Sequence, residues 1–416
     1  MIIGVLHVGV EMQHHDLGWR ALPLMYQAVG LVSLFLGTLL SLTFTGHFLA
    51  DGVPAVFANK DFANYWTAGK LILGGQVQDL FGPHPLYFRH LTDAFGPDYQ
   101  WHNWSYPPHF LLLIWPLGYA GYELSLAIFV LTTLAIYLGA VRAFVGDLST
   151  LTLIAVGPFL VLNAWTAQNG FLFGALALAA LSLRDSRPIA AGIALGFLTI
   201  KPQLGVLFPL LLLIERRWLV IASATITTLG LVTLSGLIFG WEAWRGYIVE
   251  VLPYQSYVMR ALEGTFLTML PSVYGFARLN GVGWSLALTI HMVVAIPALL
   301  VAGYLMWRLT DPMDRSLVVL IATFLITPYA LNYDLGFLAA AMAVLAARQV
   351  RDRPDGVGER ILIALTMCLT LYMMPMGALG IHCPPLLIAY ALFLAARPLW
   401  AGREFARLRS PASASN

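Results

Sequence analysis

Charge is what this chain has least of: of its 416 residues only 11% are Asp, Glu, Lys or Arg, while 59% are hydrophobic. Soluble globular domains carry roughly 25% charged residues, so a soluble protein of this length would have too few charges to cover its surface. The mean hydropathy of +0.77 agrees, and the chain reads as an integral membrane protein. Its net charge of +2 leaves no basic footprint for nucleic acid. The two cysteines, Cys368 and Cys383, make neither a disulfide framework nor the spacing of a metal site. Walker, dinucleotide-binding, HExxH and GxSxG motifs are all missing, so ATP-driven transport and hydrolase chemistry lose their usual signals. The opening segment carries Glu11, Asp16 and three histidines and has no small-residue cleavage site before the first apolar run. It reads as a polar lead and not as a secretory signal.

What the chain does have is long apolar runs. Crossing about 30 Å of hydrocarbon takes about 20 mainly apolar residues in a helix. The first such run is 23–50, and a polar stretch over 51–105 follows it. Further runs lead to 240, a second interfacial stretch covers 241–282, and more runs continue to 396. The expected organisation is a cytoplasmic lead (1–22), one transmembrane domain (23–400) with outer loops at 51–105 and 241–282, and a cytoplasmic tail (401–416). The expected fold is an all-α polytopic bundle of 11–13 transmembrane helices, with short interfacial helices in the long first loop. Arg184, Arg187, Arg216, Arg217, Arg308, Arg315, the 348–360 segment and the tail from Arg397 mark the cytoplasmic side. The two long loops, Gln168, Lys201 and Asn332 then lie opposite. The run 106–119 breaks this parity. Either it re-enters, helped by Pro107, Pro108 and Pro116, or another short run fails to cross.

Three corners interrupt the apolar runs on the loop side: Gln168-Asn169-Gly170, Lys201-Pro202-Gln203 and Thr327-Pro328-Tyr329. Non-helical backbone at membrane depth needs protein or water to receive its polar groups, so the corners are expected to share one polar cavity. No inverted repeat is visible, which weakens a transporter reading.

Asp61 opens the first loop's DFANYWTAGKLILGG, and i, i+4, i+5 spacing puts Asp61, Tyr65 and Trp66 on one helical face. A carboxylate beside an aromatic, partly desolvated surface can serve as a general base; Asp is equally a favoured helix N-cap. Trp101, Trp104 and Tyr106 fit an interfacial aromatic belt, and such faces also stack on sugar rings. His109 follows the Pro-Pro pair and is a packing or a cavity residue. Lys201 is costly, about 2.5–3.5 kcal/mol in an apolar span, and no acid is near it in sequence. It must snorkel, meet a distant carboxylate or face a bound anion such as a lipid phosphate. Asp334, beside Tyr329, Asn332 and Tyr333, is a cap, a partner for a basic residue or a cavity wall. In the second loop, aromatic residues interleave with Arg245, Arg260 and Arg278, suiting interfacial helices or a grip on phosphate headgroups.

DFANYWTAGKLILGG, then YPPHFLLLIWPL, then QNGFLFGALALAALSL with its IKPQ corner, then TPYALNYDL together resemble glycosyltransferase family 87. The chain is similar to the polyprenyl-phosphate-mannose-dependent α-1,2-mannosyltransferases of mycobacteria, within the GT-C superfamily. The resemblance implies a many-helix GT-C-like fold whose first outer loop carries the catalytic acid, matched by Asp61. Lys201 matches the lysine of the family's LKP-like corner, with Ile200 as the preceding residue. Gln168 and Asn169 match a GQN-like corner in which Ala167 replaces glycine, and Asp334 stands where some members carry histidine. It further implies an inverting transfer of a sugar, mannose by analogy, from a polyprenyl-phosphate donor to a lipid or glycan acceptor. That reaction would take place on the extracytoplasmic side of a bacterial plasma membrane. Asp61 would be the base, Lys201, Arg245 and Arg260 would hold the donor phosphate, and Tyr65, Trp66, Tyr106, His109, Gln168, Asn169, Gln203, Tyr329, Asn332 and Asp334 would line the cavity. No cofactor is expected, although a loosely held divalent ion at Asp61 stays open. The rival reading is a lipid-linked-sugar flippase or solute transporter without chemistry.

Overall fold

A computed structural model describes residues 18–48, 61–99 and 101–400; most of the expected lead and the whole expected tail lie outside the described residues. Every regular element among the described residues is helical. In chain order the principal helices are α1 (Leu24–Phe48), α2 (Phe62–Leu73), α3 (His84–Phe95), α4 (Tyr122–Val145), α5 (Thr150–Thr166), α6 (Gly170–Leu183), α7 (Pro188–Leu198) and α8 (Phe208–Ile214). They continue as α9 (Trp218–Phe239), α10 (Leu252–Ala261), α11 (Trp284–Arg308), α12 (Pro312–Ile326), α13 (Gly336–Asp352), α14 (Val357–Met367), α15 (Leu369–Ala378) and α16 (Pro384–Ala396). This is the expected all-α polytopic membrane protein.

The helices are shorter than the expected count of spans requires. Among the described residues four helices are long and apolar enough to cross a membrane, or five if α14 and α15, bent by 81°, form one broken span. At about 1.5 Å per residue, the 11 residues of α7 reach only about half of a ~30 Å hydrocarbon core. The polar corners are what cut these helices short. Backbone there leaves the helix and is received by protein instead of lipid.

The short run 106–119 does not cross. Tyr106 packs on Tyr65, with ring centroids 5.7 Å apart. Gly118 lies so close to Gly69 that a Cβ on either would meet backbone within 2.7 Å. The Ala120 carbonyl accepts the Trp66 indole N–H at 3.0 Å. Both ends of the run therefore sit on α2.

Two ends with opposite chemistry result. At the basic end, helix starts are punctuated by Pro188 and Pro312 at first-turn positions, where a missing N–H costs nothing. Glu215 joins three turns there: its carboxylate meets Arg184 at 2.9 Å, Arg315 at 3.5 Å and Arg217 at 3.8 Å. Arg348 pairs with Asp314 at 2.6 Å, and Arg397 holds Glu359 through two bonds of 2.8 and 2.7 Å. The centre is α13, buried along nearly its whole apolar length from Gly336 to Ala346. Its first turn is tied by the Tyr137 hydroxyl, which donates to the Gly336 carbonyl at 2.6 Å. Gly192 and Gly196 on α7 let α9 approach so closely that a Cβ at either would strike Ser223 or Thr227, the small-residue packing that membrane helices favour.

At the loop end, Gly170 allows the 168–170 and 327–334 corners to touch. A Cβ there would lie 1.9 Å from the Tyr333 carbonyl oxygen, so only glycine fits. We expect Gly170→Ala to force the corners apart, costing at least the ~1–3 kcal/mol of an overpacked core and lowering the melting temperature in detergent. Glu215→Ala leaves three guanidinium groups around a lost carboxylate and is expected to cost about 3–5 kcal/mol. The same melting experiment reads it, with Arg187→Ala, an exposed residue at that end, as the neutral control.

Candidate active site

Asp61 occupies the N-cap position of α2, yet its side chain makes no capping hydrogen bond. Its carboxylate instead meets His102 Nε2 at 2.8 Å, with roughly a third of each side chain open. A carboxylate that declines the backbone N–H groups next to it keeps its lone pairs for another use. His102 is the residue that sequence reasoning missed. The signal available was a histidine inside WHNWSYPPHF, but nothing in spacing could bring it to Asp61.

Beneath this pair lies a chain of hydrogen bonds. The Tyr65 hydroxyl donates to Gln168 Oε1 at 2.8 Å, and Asn169 Nδ2 donates to the Tyr106 hydroxyl at 2.8 Å. The two hydroxyls are 3.0 Å apart. Because Tyr65 has spent its proton on Gln168, Tyr106 must be the donor between them. Burial is the chief force raising both phenols above their ordinary range, with the charge of Asp61 adding to it. Both therefore remain protonated and act as hydrogen-bonding walls, not as bases. Asn169 Oδ1 and Asn332 Oδ1 are buried with no hydrogen-bond partner, as is the Trp104 indole nitrogen.

The floor is an ion pair. Lys201 Nζ lies 2.6 Å from Asp334 Oδ1, with the two residues 133 positions apart in sequence and 6% and 4% exposed. The other Asp334 oxygen accepts the Leu331 N–H at 3.0 Å, which pins the turn that starts α13. The Lys201 ammonium faces the rings of Tyr333, Phe173 and Tyr106 at 4.9, 5.2 and 6.0 Å, and a π face attracts a cation. Of the three fates open to Lys201, the structure shows the distant carboxylate. Tyr65, Tyr106, Tyr329 and Tyr333 each feel the charges of both Asp61 and Asp334, which puts the two carboxylates on one polar cluster.

Several expected site residues are elsewhere. Trp66 turns away from Tyr65 and packs between Phe95 and Tyr122, with Lys70 over its ring, since adjacent helical residues point about 100° apart. His109 is buried, stacked on Trp244 at 5.6 Å. Arg245 is exposed and pairs with Glu242. Arg260 lies over Trp284 and bonds the Ser256 carbonyl of its own helix. Neither arginine makes a contact with the cluster, because each satisfies its charge locally on the second loop. Tyr329 donates to Gln255 at 3.4 Å, and Asn332 Nδ2 reaches the Met374 sulfur at 3.2 Å. Gln203 is half-buried in the turn after Lys201. Among the described residues, no three His, Cys, Asp or Glu side chains gather as metal ligands would.

Ala167, at the corner before Gln168, has φ +49° and ψ +39°. This left-handed conformation costs an L-residue roughly 1–2 kcal/mol, a cost that glycine would not meet.

A family model for glycosyltransferase family 87 matches residues 104–328, more than half of the chain. The match takes in Tyr106, Gln168, Asn169 and Lys201, while Asp61, His102 and Asp334 lie beyond its ends. No curated protein and no solved structure matches the chain. A helical membrane bundle whose interrupted spans gather these polar corners, and whose central half carries the family's pattern, belongs to glycosyltransferase family 87 and is a membrane glycosyltransferase.

Proposed function

We propose that this enzyme transfers a sugar, mannose by analogy, from a polyprenyl-phosphate donor to an acceptor hydroxyl on the extracytoplasmic face of a bacterial plasma membrane, inverting the anomeric centre. The observation that carries this reading is the placement of Asp61: an uncapped carboxylate, oriented by His102, at the mouth of a cluster whose floor holds a buried lysine. The sidedness rests on the arginine-rich end lying opposite to the cluster, as the positive-inside rule expects. A GT-C-like architecture belongs to the same reading.

In the reaction, Asp61 removes the acceptor hydroxyl proton as that oxygen attacks the anomeric carbon on the face opposite the phosphate. The C–O bond to the phosphate breaks, and both electrons leave with the lipid phosphate. That leaving group needs no general acid, so one carboxylate is sufficient. Lys201 carries three N–H donors; one is hydrogen-bonded to Asp334, and the others serve the charge developing on the phosphate, where fixed cations matter most. With Arg245 and Arg260 occupied elsewhere, Lys201 is the cation proposed for this role.

Asp61→Asn keeps the shape and removes the base. Transfer from radiolabelled polyprenyl-phosphate mannose to envelope lipids is expected to fall by at least ~100-fold, with expression and donor binding intact. Wild-type turnover in this variant would overturn the mechanism. Lys201→Ala breaks a buried pair, so it is expected to lose about 3–5 kcal/mol of stability as well as donor affinity. The double variant Lys201→Ala/Asp334→Ala removes both charges together and should regain part of that stability while donor affinity stays low. Recovery of donor binding alongside stability would assign Lys201 a purely structural role.

A further inference from the structure

Beside the Asp61–His102 pair stands an aromatic assembly that the reaction above does not use. Trp101, the chain neighbour of His102, stacks on Phe88 with centroids 4.5 Å apart and ring planes 29° apart. Its indole N–H donates to the Tyr254 hydroxyl at 3.0 Å, and the Tyr254 ring sits 4.2 Å from His84. Burial pulls the His84 imidazole below its ordinary range, against Glu250 and Asn103, so that supporting ring is neutral at neutral pH. Trp101 is nonetheless 49% exposed. One face is covered by Phe88 and the N–H edge is tied, so what remains open is the face turned away from Phe88.

The position of this ring is fixed from several directions. Tyr254 lies on α10, and the next residue, Gln255, donates to Ser105 and accepts from Tyr329. The second loop is thereby fastened to the first loop and to the corner that leads to Asp334. A tryptophan serving only as an interfacial anchor needs no such fixing, because its ring dips into hydrocarbon and its N–H is left for water or headgroups. Here the N–H is spent within the protein. A rigid aromatic face held ready in this way lowers the ordering cost of binding. The negative π face suits one chemistry well: the row of C–H groups on one side of a pyranose ring, made positive by the oxygens attached to the same carbons.

We propose that the open face of Trp101, held by Phe88 and Tyr254, is an acceptor subsite for a saccharide ring, so that the acceptor is a glycan chain bound through a ring next to the one that reacts. This names the acceptor class for the transfer proposed above and rests on that reading. The reacting ring presents its hydroxyl to Asp61, and its neighbour along the glycan lies on Trp101.

The test is a saccharide titration of the full chain in nanodiscs, followed by saturation-transfer NMR, using methyl α-mannoside, α-linked mannobiose and mannotriose as probes and the matching gluco-oligosaccharides in parallel. The wild type is expected to bind the di- and trisaccharides of one series at least ~10-fold more tightly than the monosaccharide. Trp101→Ala should remove that length dependence, Trp101→Phe should keep most of it, and Tyr254→Phe, which frees the indole edge, should reduce it severalfold. Asp61→Asn should abolish transfer and leave the length dependence unchanged. Equal affinity for all lengths in the wild type, or undiminished trisaccharide binding by a folded Trp101→Ala protein, would overturn the subsite and make Trp101 a membrane-interface residue. Length-dependent binding that Trp101→Ala removes, in a wild type that transfers no sugar, would uphold the subsite while sinking the transfer reading.

Discussion

A lysine and an aspartate buried together in a membrane protein set the conditions that the rest of this structure meets. Two charges taken out of water are tolerated only when they face each other closely and their remaining donors and acceptors are also met. Lys201 and Asp334 lie 2.6 Å apart, the spare Asp334 oxygen takes the Leu331 N–H and three aromatic rings surround the ammonium, of whose three N–H donors one is bonded to Asp334. To bring the two together, the α7 corner and the turn before α13 must both end inside the bundle instead of at its surface. The short helices, the glycine contact at Gly170 and the buried first turn of α13 follow from that requirement.

Much of this was legible in the sequence, because apolar periodicity, proline corners and arginine-rich turns are local signals. The all-helical bundle, the segregation of arginines to one end and the gathering of Gln168, Asn169, Lys201 and Asp334 could each be read from those signals. What could not be read was pairing across long stretches of chain. The acid that neutralises Lys201 lies 133 residues away, and His102 reaches Asp61 only because the first loop folds back over α2. Trp66 was misjudged for a different reason: i+4 and i+5 share a broad face, yet a bulky aromatic turns to the neighbour that fills its volume, here Tyr122 and Phe95. Arg245 and Arg260 show that a basic residue on an exposed loop finds its partner locally before it finds a distant ligand.

The family pattern and the catalytic geometry cover different parts of the molecule. The matched segment supplies Tyr106, Gln168, Asn169 and the lysine, while Tyr65, the proposed base and its histidine come from the loop ahead of it and Asp334 from the turn just after it. Loops held by a rigid scaffold are where chemistry commonly sits. Here the scaffold is unusually apolar; the loop is braced within itself by the Tyr87 hydroxyl on Asn64 at 2.7 Å and fastened beyond itself by the Trp66 indole N–H on the Ala120 carbonyl at 3.0 Å.

The run from Asn169 through Tyr106 and Tyr65 to Gln168 has a direction. Every hydroxyl in it points its hydrogen the same way, and the last acceptor is an amide oxygen that cannot pass a proton onward. The run is therefore a dead end for proton conduction. Asp61 stands outside this run, its carboxylate on His102 with both side chains partly open, so in the proposed reaction the hydrogen it takes up leaves by way of that pair and not through the phenols.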